Sequence, residues 1–584
     1  MRQSSKYAST LGFAGVLFGS LLVAIDAVAL APSLPTLADA LNAPSIEIYW
    51  AGVAYTLGSA TFLPLFPAAS SALGRRPVVL AALLLFLTGT IVCGTAHKIA
   101  AMLAGRVLQG IGGGGIVGML YVVIADLFDM RWRPKALSIN GLFWLVGTGC
   151  GPVIGGGFSA YVSWRWIFWI VLPINGIAIV LVALFLDIPI TAANEVQIDR
   201  SKAPGLAGKK SIHKLSWKQM DYGGAALLVA SLSSFLIPIT WGGIQYSWSS
   251  WHTLAPLSIG VFGLFAWLAY EAFVPANPIM PLSILSDRTV SIAAVSTFVT
   301  GLCQYGVVFY LPLYFQIVKG YSPLISGLGI LPSTLSGAPS NILTGVIISK
   351  TGRYKLVVLI AWAILAMGMG VLTLLDRDTS VLVWIFLGIP GGFGFGMVLP
   401  ALTVAFTAPV REEHMAIASG LSPYTRAIGQ SIGIAVGNSM VQNLLKNRLS
   451  SSATKVLSAN ADLISKNMAS QDLLNTFMRS AAGKHELLNV YTSAIRDFWW
   501  LLCGLALFCG LLSFFIRDVS LDRDSSSVVF EKRSDSVTNL STYPKSDSSQ
   551  RRIRSCDDAS IVASMASNGS KRVVGPLRDS FVAG

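Results

Sequence analysis

Residues 10–31 read TLGFAGVLFGSLLVAIDAVALA, a stretch with one charge, Asp26, and no other ionisable side chain. A helix of about 20 mostly apolar residues crosses a bilayer, so this stretch predicts a membrane span. The apolar part of a cleaved signal peptide is shorter, about 7–15 residues, so the span is expected to stay in the mature chain. Working outward, the same pattern recurs. Of 584 residues, 53% are hydrophobic and 12% charged, against about 25% charged in soluble domains. Mean hydropathy is +0.65, and the 56 glycines suit helices that pack closely in lipid.

Fourteen apolar runs follow one another, at 10–31, 48–66, 78–96, 100–124, 138–158, 166–186, 223–241, 254–273, 290–315, 328–348, 356–375, 381–405, 423–442 and 499–516. Each is long enough to cross as a helix, which satisfies its own backbone in lipid. The sequence therefore predicts an all-α polytopic membrane protein with 14 transmembrane helices. The net charge of +14 is then explained by basic cytoplasmic loops rather than by nucleic acid. Arg75 and Arg76, then Arg131, Arg133 and Lys135, the basic residues of 187–221, and Lys350, Arg353 and Lys355 fall in alternate connections. Those connections are predicted to be cytoplasmic, and with an even number of spans so are both termini. The connection 443–498 is then external, and its apolar pattern (Leu463, Ile464, Leu473, Leu474, Phe477, Met478) predicts short amphipathic helices. From Arg517 the chain is rich in Ser, Asp, Lys and Arg, and a disordered tail is expected. Asn539-Leu-Ser541 and Asn568-Gly-Ser570 match the glycosylation pattern there and are expected to stay unmodified on the cytoplasmic side.

Several chemistries are set aside. Cys93, Cys150, Cys303, Cys503 and Cys509 lie in apolar runs, Cys556 does not, and no two have zinc-ligand spacing. Gly110-Ile-Gly112-Gly-Gly-Gly115 fits G-x-G-x-x-G but lies inside a run rather than between a strand and a helix. No G-x-x-x-x-G-K-[ST] is present. No enzyme site and no cofactor are expected.

The charges inside the runs carry the functional reading. Asp26 is the carboxylate well inside an apolar run of the first half, and Arg106 is its best partner. Span one runs outward and span four inward, and each charge lies about six residues, or ~9 Å, from the outer boundary. Burial favours the neutral carboxyl and a guanidinium favours the carboxylate, so the balance can change with conformation. A fixed structural ion pair is the alternative. Arg426 is the second intramembrane charge; it could serve substrate or gate, or snorkel to the inner surface. Gly147, Gly151, Pro152, Gly155 and Gly156 concentrate on span five, where a missing N–H and small residues suit a bendable or simply close-packed helix. Gln109, Trp144, Gln304, Tyr305, Tyr314, Gln316, Asn341 and Arg426 are the candidate substrate-pocket residues, by polarity, aromaticity and depth. An internal echo links Ser71-Ala-Leu-Gly74-Arg75 after span two with Ser349-Lys-Thr-Gly352-Arg353 after span ten, and internal symmetry marks secondary transporters.

Further motifs stand in order along the chain: Leu34-Pro35-Thr36-Leu37-Ala38 after Asp26; Gly74-Arg75-Arg76-Pro77; Gly105-Arg106-Val-Leu-Gln109-Gly110; Gly147-Thr-Gly-Cys-Gly151-Pro152-Val-Ile-Gly155-Gly156; Ser163-Trp164-Arg165-Trp166; Tyr310-Leu-Pro-Leu-Tyr314-Phe315-Gln316 with Gly320-Tyr-Ser-Pro323; and Arg426-Ala-Ile-Gly429. On these, residues 10–516 resemble the major facilitator superfamily, and more narrowly the fourteen-span drug:proton antiporters of fungi. Three departures stand out: Val28 in place of a Thr, and Pro67 and Ser71 in place of the Gly and Asp that precede Gly-Arg in the turn after span two. The lost carboxylate puts the usual charge relay of the cytoplasmic gate in question.

The resemblance implies two pseudo-symmetric six-helix bundles plus two inserted linker helices. The corresponding layout is a bundle over 1–190, a basic loop over 191–221, two additional helices over 222–273, a second bundle over 287–516 and a tail over 517–584. It implies proton-coupled efflux of small amphipathic organic molecules, with Asp26 and Arg106 coupling protons. Gly74, Arg75, Arg76, Gly147, Gly151, Pro152, Gly155, Gly156, Gly352 and Arg353 would then serve conformational change. Expected partners are a small-molecule substrate, protons and the bilayer, with no nucleic acid, and the chain is expected to act as a monomer. The plasma membrane is the expected location, the vacuolar membrane the alternative. Uptake on the same fold, or a non-transporting sensor with a phosphorylated tail, are the competing readings.

Overall fold

A computed structural model describes residues 2–128, 133–187, 221–242, 246–275, 282–410, 415–452, 454–478 and 481–518. The unit described below falls within Met1–Leu521. The tail with its two Asn-x-Ser patterns, and nearly all of the basic connection 187–221, lie outside the described residues.

The described elements are helical, apart from an isolated bridge between Gly242 and Tyr246. The first group comprises α1 (Arg2–Ala29), a 3-10 turn (Ala31–Ser33), α2 (Leu34–Leu41), α3 (Ser45–Phe62), α4 (Leu65–Leu73), α5 (Arg75–Gly94), α6 (Ile99–Leu127), α7 (Arg133–Tyr161), α8 (Trp166–Trp169) and α9 (Val171–Phe185). Next come α10 (Tyr222–Trp241) and α11 (Trp251–Phe273). A last group comprises α12 (Arg288–Ile317), α13 (Pro323–Leu328), α14 (Leu331–Thr351), α15 (Tyr354–Leu372), α16 (Val381–Thr407), α17 (Met415–Ser450), α18 (Lys455–Ala459), α19 (Ala461–Lys466), α20 (Gln471–Phe477) and α21 (Ala481–Ser513).

Among the described residues, 11 helical stretches are long and apolar enough to cross a membrane. Large apolar side chains stand exposed along them, among them Val180 and Leu184 on α9, Phe262 and Phe265 on α11, and Leu507, Phe508 and Leu511 on α21. A soluble surface does not tolerate that much exposed hydrocarbon, and lipid does. The chain is an integral membrane protein. The other three runs, 48–66, 328–348 and 423–442, fall on α3–α4, α14 and α17. These helices are diluted by polar residues that face protein: Thr56 and Thr61 on α3, Ser340 and Thr344 on α14, and Gln430, Ser431, Asn438 and Gln442 on α17 are all buried. Polar groups at depth turn inward, where neighbours can satisfy them.

Close approach of backbones sets the packing. A Cβ at Gly110 or Gly114 of α6 would fall on the backbone of α3 at Tyr55 or Ser59, and one at Gly112 on α5 at Phe86. The G-x-G-x-x-G stretch is thus a packing surface. On α7, Gly147, Gly151 and Gly155 recur every four residues and admit Ala24, Val28 and Ala29 of α1. Helix α1 also packs on α9, and α5 on α6 and α9. In the last group α12 packs on α17, α21 and α16, while α16 packs on α14 and α15. Helices α10 and α11 pair with each other, and α10 also touches α17 and α3.

The first and last groups meet near the end of the unit that carries Asn42. There the Tyr49 and Tyr310 rings stack at 5.4 Å, Gln316 Nε2 donates to the Pro32 carbonyl at 2.8 Å, and Gly156 lies against Pro323 and Leu324. At the opposite end the sequence echo is also a structural one. Gly74 ends α4 at φ +97° and Gly352 ends α14 at φ +66°, each N–H capping its helix on the carbonyl of Ser70 or Ile348. Both have positive φ, which glycine takes without a Cβ clash, but only Gly352 is in the left-handed helical region.

The limits of the 443–498 connection differ from the sequence reading. Helix α17 continues to Ser450 and α21 already begins at Ala481, leaving α18–α20 between them. Hydropathy marks only the lipid-crossing part of a helix. The extensions are held by polar pairs instead, Arg448 to Asp497 and Ser452 and Thr454 to Glu486.

Candidate functional site

Four helices bring one buried charge pair together. Asp26 of α1 is 4% exposed and Arg106 of α6 is 1% exposed. Arg106 Nη1 donates to Asp26 Oδ1 at 2.8 Å and Oδ2 at 2.7 Å. Its Nε donates to the Ala51 carbonyl of α3 at 3.0 Å, and its guanidinium lies 4.4 Å from the centre of the Tyr55 ring. Gln109 stands three residues on, on the same face of α6. Its Oε1 accepts from Arg106 Nη1 at 2.7 Å. Its Nε2 donates to Asp26 Oδ1 and to Thr90 Oγ1 of α5, both at 3.0 Å. Thr90 gives its own proton to the Phe86 carbonyl at 2.7 Å, which leaves its oxygen free to accept. Both Asp26 oxygens are therefore engaged. Through these bonds the carboxylate ties α1 to α6.

A narrow cavity of about 30 Å³ adjoins this network; Tyr55, Trp144, Tyr305, Arg426 and Gln430 are among its lining residues. The Arg426 guanidinium lies 5.6 Å from the centre of the Trp144 ring. It therefore reaches from α17 across to α7 and does not run along its own helix toward the surface. Trp144 is fixed by Nε1 donating to Ser20 Oγ at 2.9 Å, and Ser20 donates in turn to Asn140 Oδ1 at 2.6 Å.

The other candidate pocket residues scatter. Gln109 belongs to the charge network and does not line this cavity. Gln304 touches the cavity indirectly, its Oε1 accepting from Gln430 Nε2 at 3.4 Å. Tyr314 donates to the Asp376 carbonyl at 2.7 Å and Gln316 to Pro32, so both tie elements together near the Asn42 end. Asn341 is exposed on α14. Depth along a helix can be counted from sequence, but the direction a side chain faces cannot.

The turn between α4 and α5 is held by a residue of α6 that the sequence reading missed, Asp126. Arg75 Nε donates to Asp126 Oδ2 at 2.7 Å, and Arg75 Nη1 donates to Ser70 Oγ at 2.8 Å. Asp126 sits in the last turn of α6 and supplies the carboxylate that Ser71 lacks. The signal was an acid just past the end of run 100–124, level with a basic turn. Arg76 reaches the Ala183 carbonyl of α9. Arg353, at the echoed turn, is exposed.

The family model of the Major Facilitator Superfamily matches residues 16–434. The transporter L2 of Phoma sp. is 34% identical over 502 residues, covering 86% of this chain and 81% of that one. The efflux pump FUS6 of Gibberella fujikuroi is 32% identical over 523 residues, 89% of this chain and 90% of that one. The efflux pump MMF1 of Pseudozyma antarctica is 32% identical over 531 residues, 89% and 93% of the two chains. Among solved structures, a bacterial homologue of the human lysosomal transporter Spinster, inward-facing and unoccupied, superposes with a TM-score of 0.58 at 13% identity, over 88% of this chain and 99% of that one; the likeness is one of fold.

Proposed function

This chain belongs to the Major Facilitator Superfamily, and from that premise we propose that it exports small amphipathic organic molecules in exchange for protons. That it is a secondary transporter of small molecules follows from the family and its relatives, several of which are named as efflux pumps. The observation that carries proton exchange is the buried Asp26–Arg106 pair, whose carboxylate is the described acid at the heart of the first group and lies beside a cavity shared with α12 and α17.

In this proposal a proton reaching Asp26 displaces Arg106, loosens α1 from α6 and favours one orientation of the helix groups. Substrate favours the other. The two groups act as six-helix bundles, 1–190 and 287–516, with α10 and α11 inserted between them, and the count of crossings is fourteen. The glycine strip of α7, with Pro152 in mid-helix, is the surface on which α1 slides, and Gly74, Arg75, Arg76, Gly352 and Arg353 mark the turns that rearrange. Contacts such as Tyr49–Tyr310 and Gln316–Pro32 close the Asn42 end. With basic connections in the cytoplasm, that end is external and both termini are cytoplasmic. The plasma membrane suits an exporter of this kind.

The test is proton movement in inside-out vesicles carrying an imposed pH gradient and a pH-sensitive dye. Adding a transported compound should dissipate the gradient with wild-type protein and leave it intact with Asp26→Asn. Dissipation of equal size in Asp26→Asn would remove Asp26 from coupling.

A further inference from the structure

Among the described residues, the cavity beside the charge pair is lined by a cation, Arg426, that has no counter-ion. Asp26 cannot serve, because Arg106 and Gln109 occupy both of its oxygens. Asp26 and Arg106 neutralise each other, and among the described residues no carboxylate forms an ion pair with Arg426. Arg426 lies eleven residues into α17, about 16 Å along the helix at ~1.5 Å per residue. Its guanidinium is held over Trp144, and a ring below the plane leaves the in-plane N–H donors open. A second donor belongs to a residue that lines the same cavity. Tyr55 is 3% exposed and lines the cavity, and its hydroxyl has no hydrogen-bond partner among the described residues. A buried tyrosine hydroxyl usually finds one.

We propose that the transported compounds are organic anions, bound by a single carboxylate that pairs with Arg426 and accepts from the Tyr55 hydroxyl. The inference rests on the export reading and adds the charge of the substrate to it. A guanidinium presents two parallel donors to a carboxylate, and a half-buried cation left unpaired at membrane depth is costly. The carboxylate thus supplies what the described residues lack. The flat face of Trp144 and the Tyr305 ring border the same space and suit an aromatic or unsaturated body. The cavity of about 30 Å³ has room for a few waters and not for an organic body. It must widen between α7 and α17 to admit that body, as alternating access requires.

The test is equilibrium binding to the full chain in lipid nanodiscs at neutral pH without any gradient. The probes are matched pairs: naphthoic, indole-acetic and long unsaturated fatty acids, each against its primary amide. Wild type should bind the acids about ten- to a hundredfold more tightly than the amides, the range of a charged hydrogen-bonded pair. Arg426→Gln should abolish the preference, Arg426→Lys should keep part of it, and Tyr55→Phe should weaken the acids alone. If no acid binds, if acids and amides bind alike, or if Arg426→Gln keeps the preference, the proposal is wrong. Should Arg426→Gln fail to fold, Arg426→Lys and Tyr55→Phe still decide the matter. Acids that bind but are not moved by a pH gradient would sink the export reading and leave the anion site standing. Neutral compounds exported under a gradient, with no preference for acids, would do the reverse.

Discussion

A double-mutant cycle on Asp26 and Arg106 reads the strength of the central pair. Asp26→Asn removes the charge from a carboxylate that accepts two contacts from Arg106 Nη1 and one from Gln109. The guanidinium left behind keeps the Ala51 carbonyl, Gln109 Oε1 and the Tyr55 ring, so the loss should fall at the lower end of the 3–5 kcal/mol typical of a broken buried pair, about 3 kcal/mol. Arg106→Gln is different in kind. The carboxyl it strands can discharge itself by taking a proton, which a guanidinium cannot do by losing one. Its cost should therefore shrink as the pH is lowered. The double variant removes both charges, and the coupling should come to about 2 kcal/mol, well above the ~0.6 kcal/mol average for hydrogen bonds between membrane helices. Unfolding of the purified protein in mixed micelles, followed by tryptophan fluorescence at two pH values, measures all four corners. Additivity within ~0.5 kcal/mol would show that the pair is two independent residues and refute the reasoning.

Three other outcomes are expected. Gly155→Val should lower the midpoint of thermal unfolding by an amount equivalent to about 1–3 kcal/mol, because its Cβ falls on the Ala29 carbonyl; Gly157→Ala, whose Cβ would meet nothing nearer than Leu324 Cδ1 at 3.7 Å, should leave the midpoint unchanged. Arg75→Gln and Asp126→Asn should each increase the labelling of cysteines introduced at the α4–α5 turn, and the double variant should label no faster than the worse single one, since either change breaks the same pair. Asp462 lies on α19 in the 443–498 connection, and hydrogen bonds from Lys446 and Lys466 hold its carboxyl below the ordinary 3.8. A depressed carboxylate stabilises the fold above its unfolded value and loses that contribution as the pH falls through the folded one. The protection of α19 amides, with exchange corrected for its intrinsic pH dependence, should therefore be flat from pH 7 to 5 and fall only below 3.8, weakly and less in high salt, because the pair is half exposed; a fall already at pH 5 would contradict the assignment.

Much of this is legible in the sequence alone. The Asp26–Arg106 pair came from counting residues, because two opposite charges on antiparallel spans at one depth have little choice but each other. Gln109 was legible as a buried polar residue, yet its place three residues from Arg106 put it in the charge network and not in the pocket. Asp126 escaped because a search confined to apolar runs stops two residues short of it. Tyr314, Gln316 and Asn341 stand at pocket depth, but depth leaves the facing direction open. The polar spans on α14 and α17 show the complementary effect. Their serines, threonines and amides lower hydropathy for the same reason that they matter, since they face other helices. The helix extensions around α18–α20 were invisible to hydropathy altogether, being held by pairs such as Arg448–Asp497 and not by lipid.

The measurement closest to the central claim is flux in proteoliposomes in which a pH gradient is the sole driving force. Wild type should accumulate a transported compound against its own gradient, counter to the proton flow, and should reverse direction when the pH gradient is reversed. Asp26→Asn should carry the compound only downhill, at a rate indifferent to pH on either side. Uphill accumulation by Asp26→Asn that still follows the pH gradient would contradict the claim that Asp26 and Arg106 are where the proton acts.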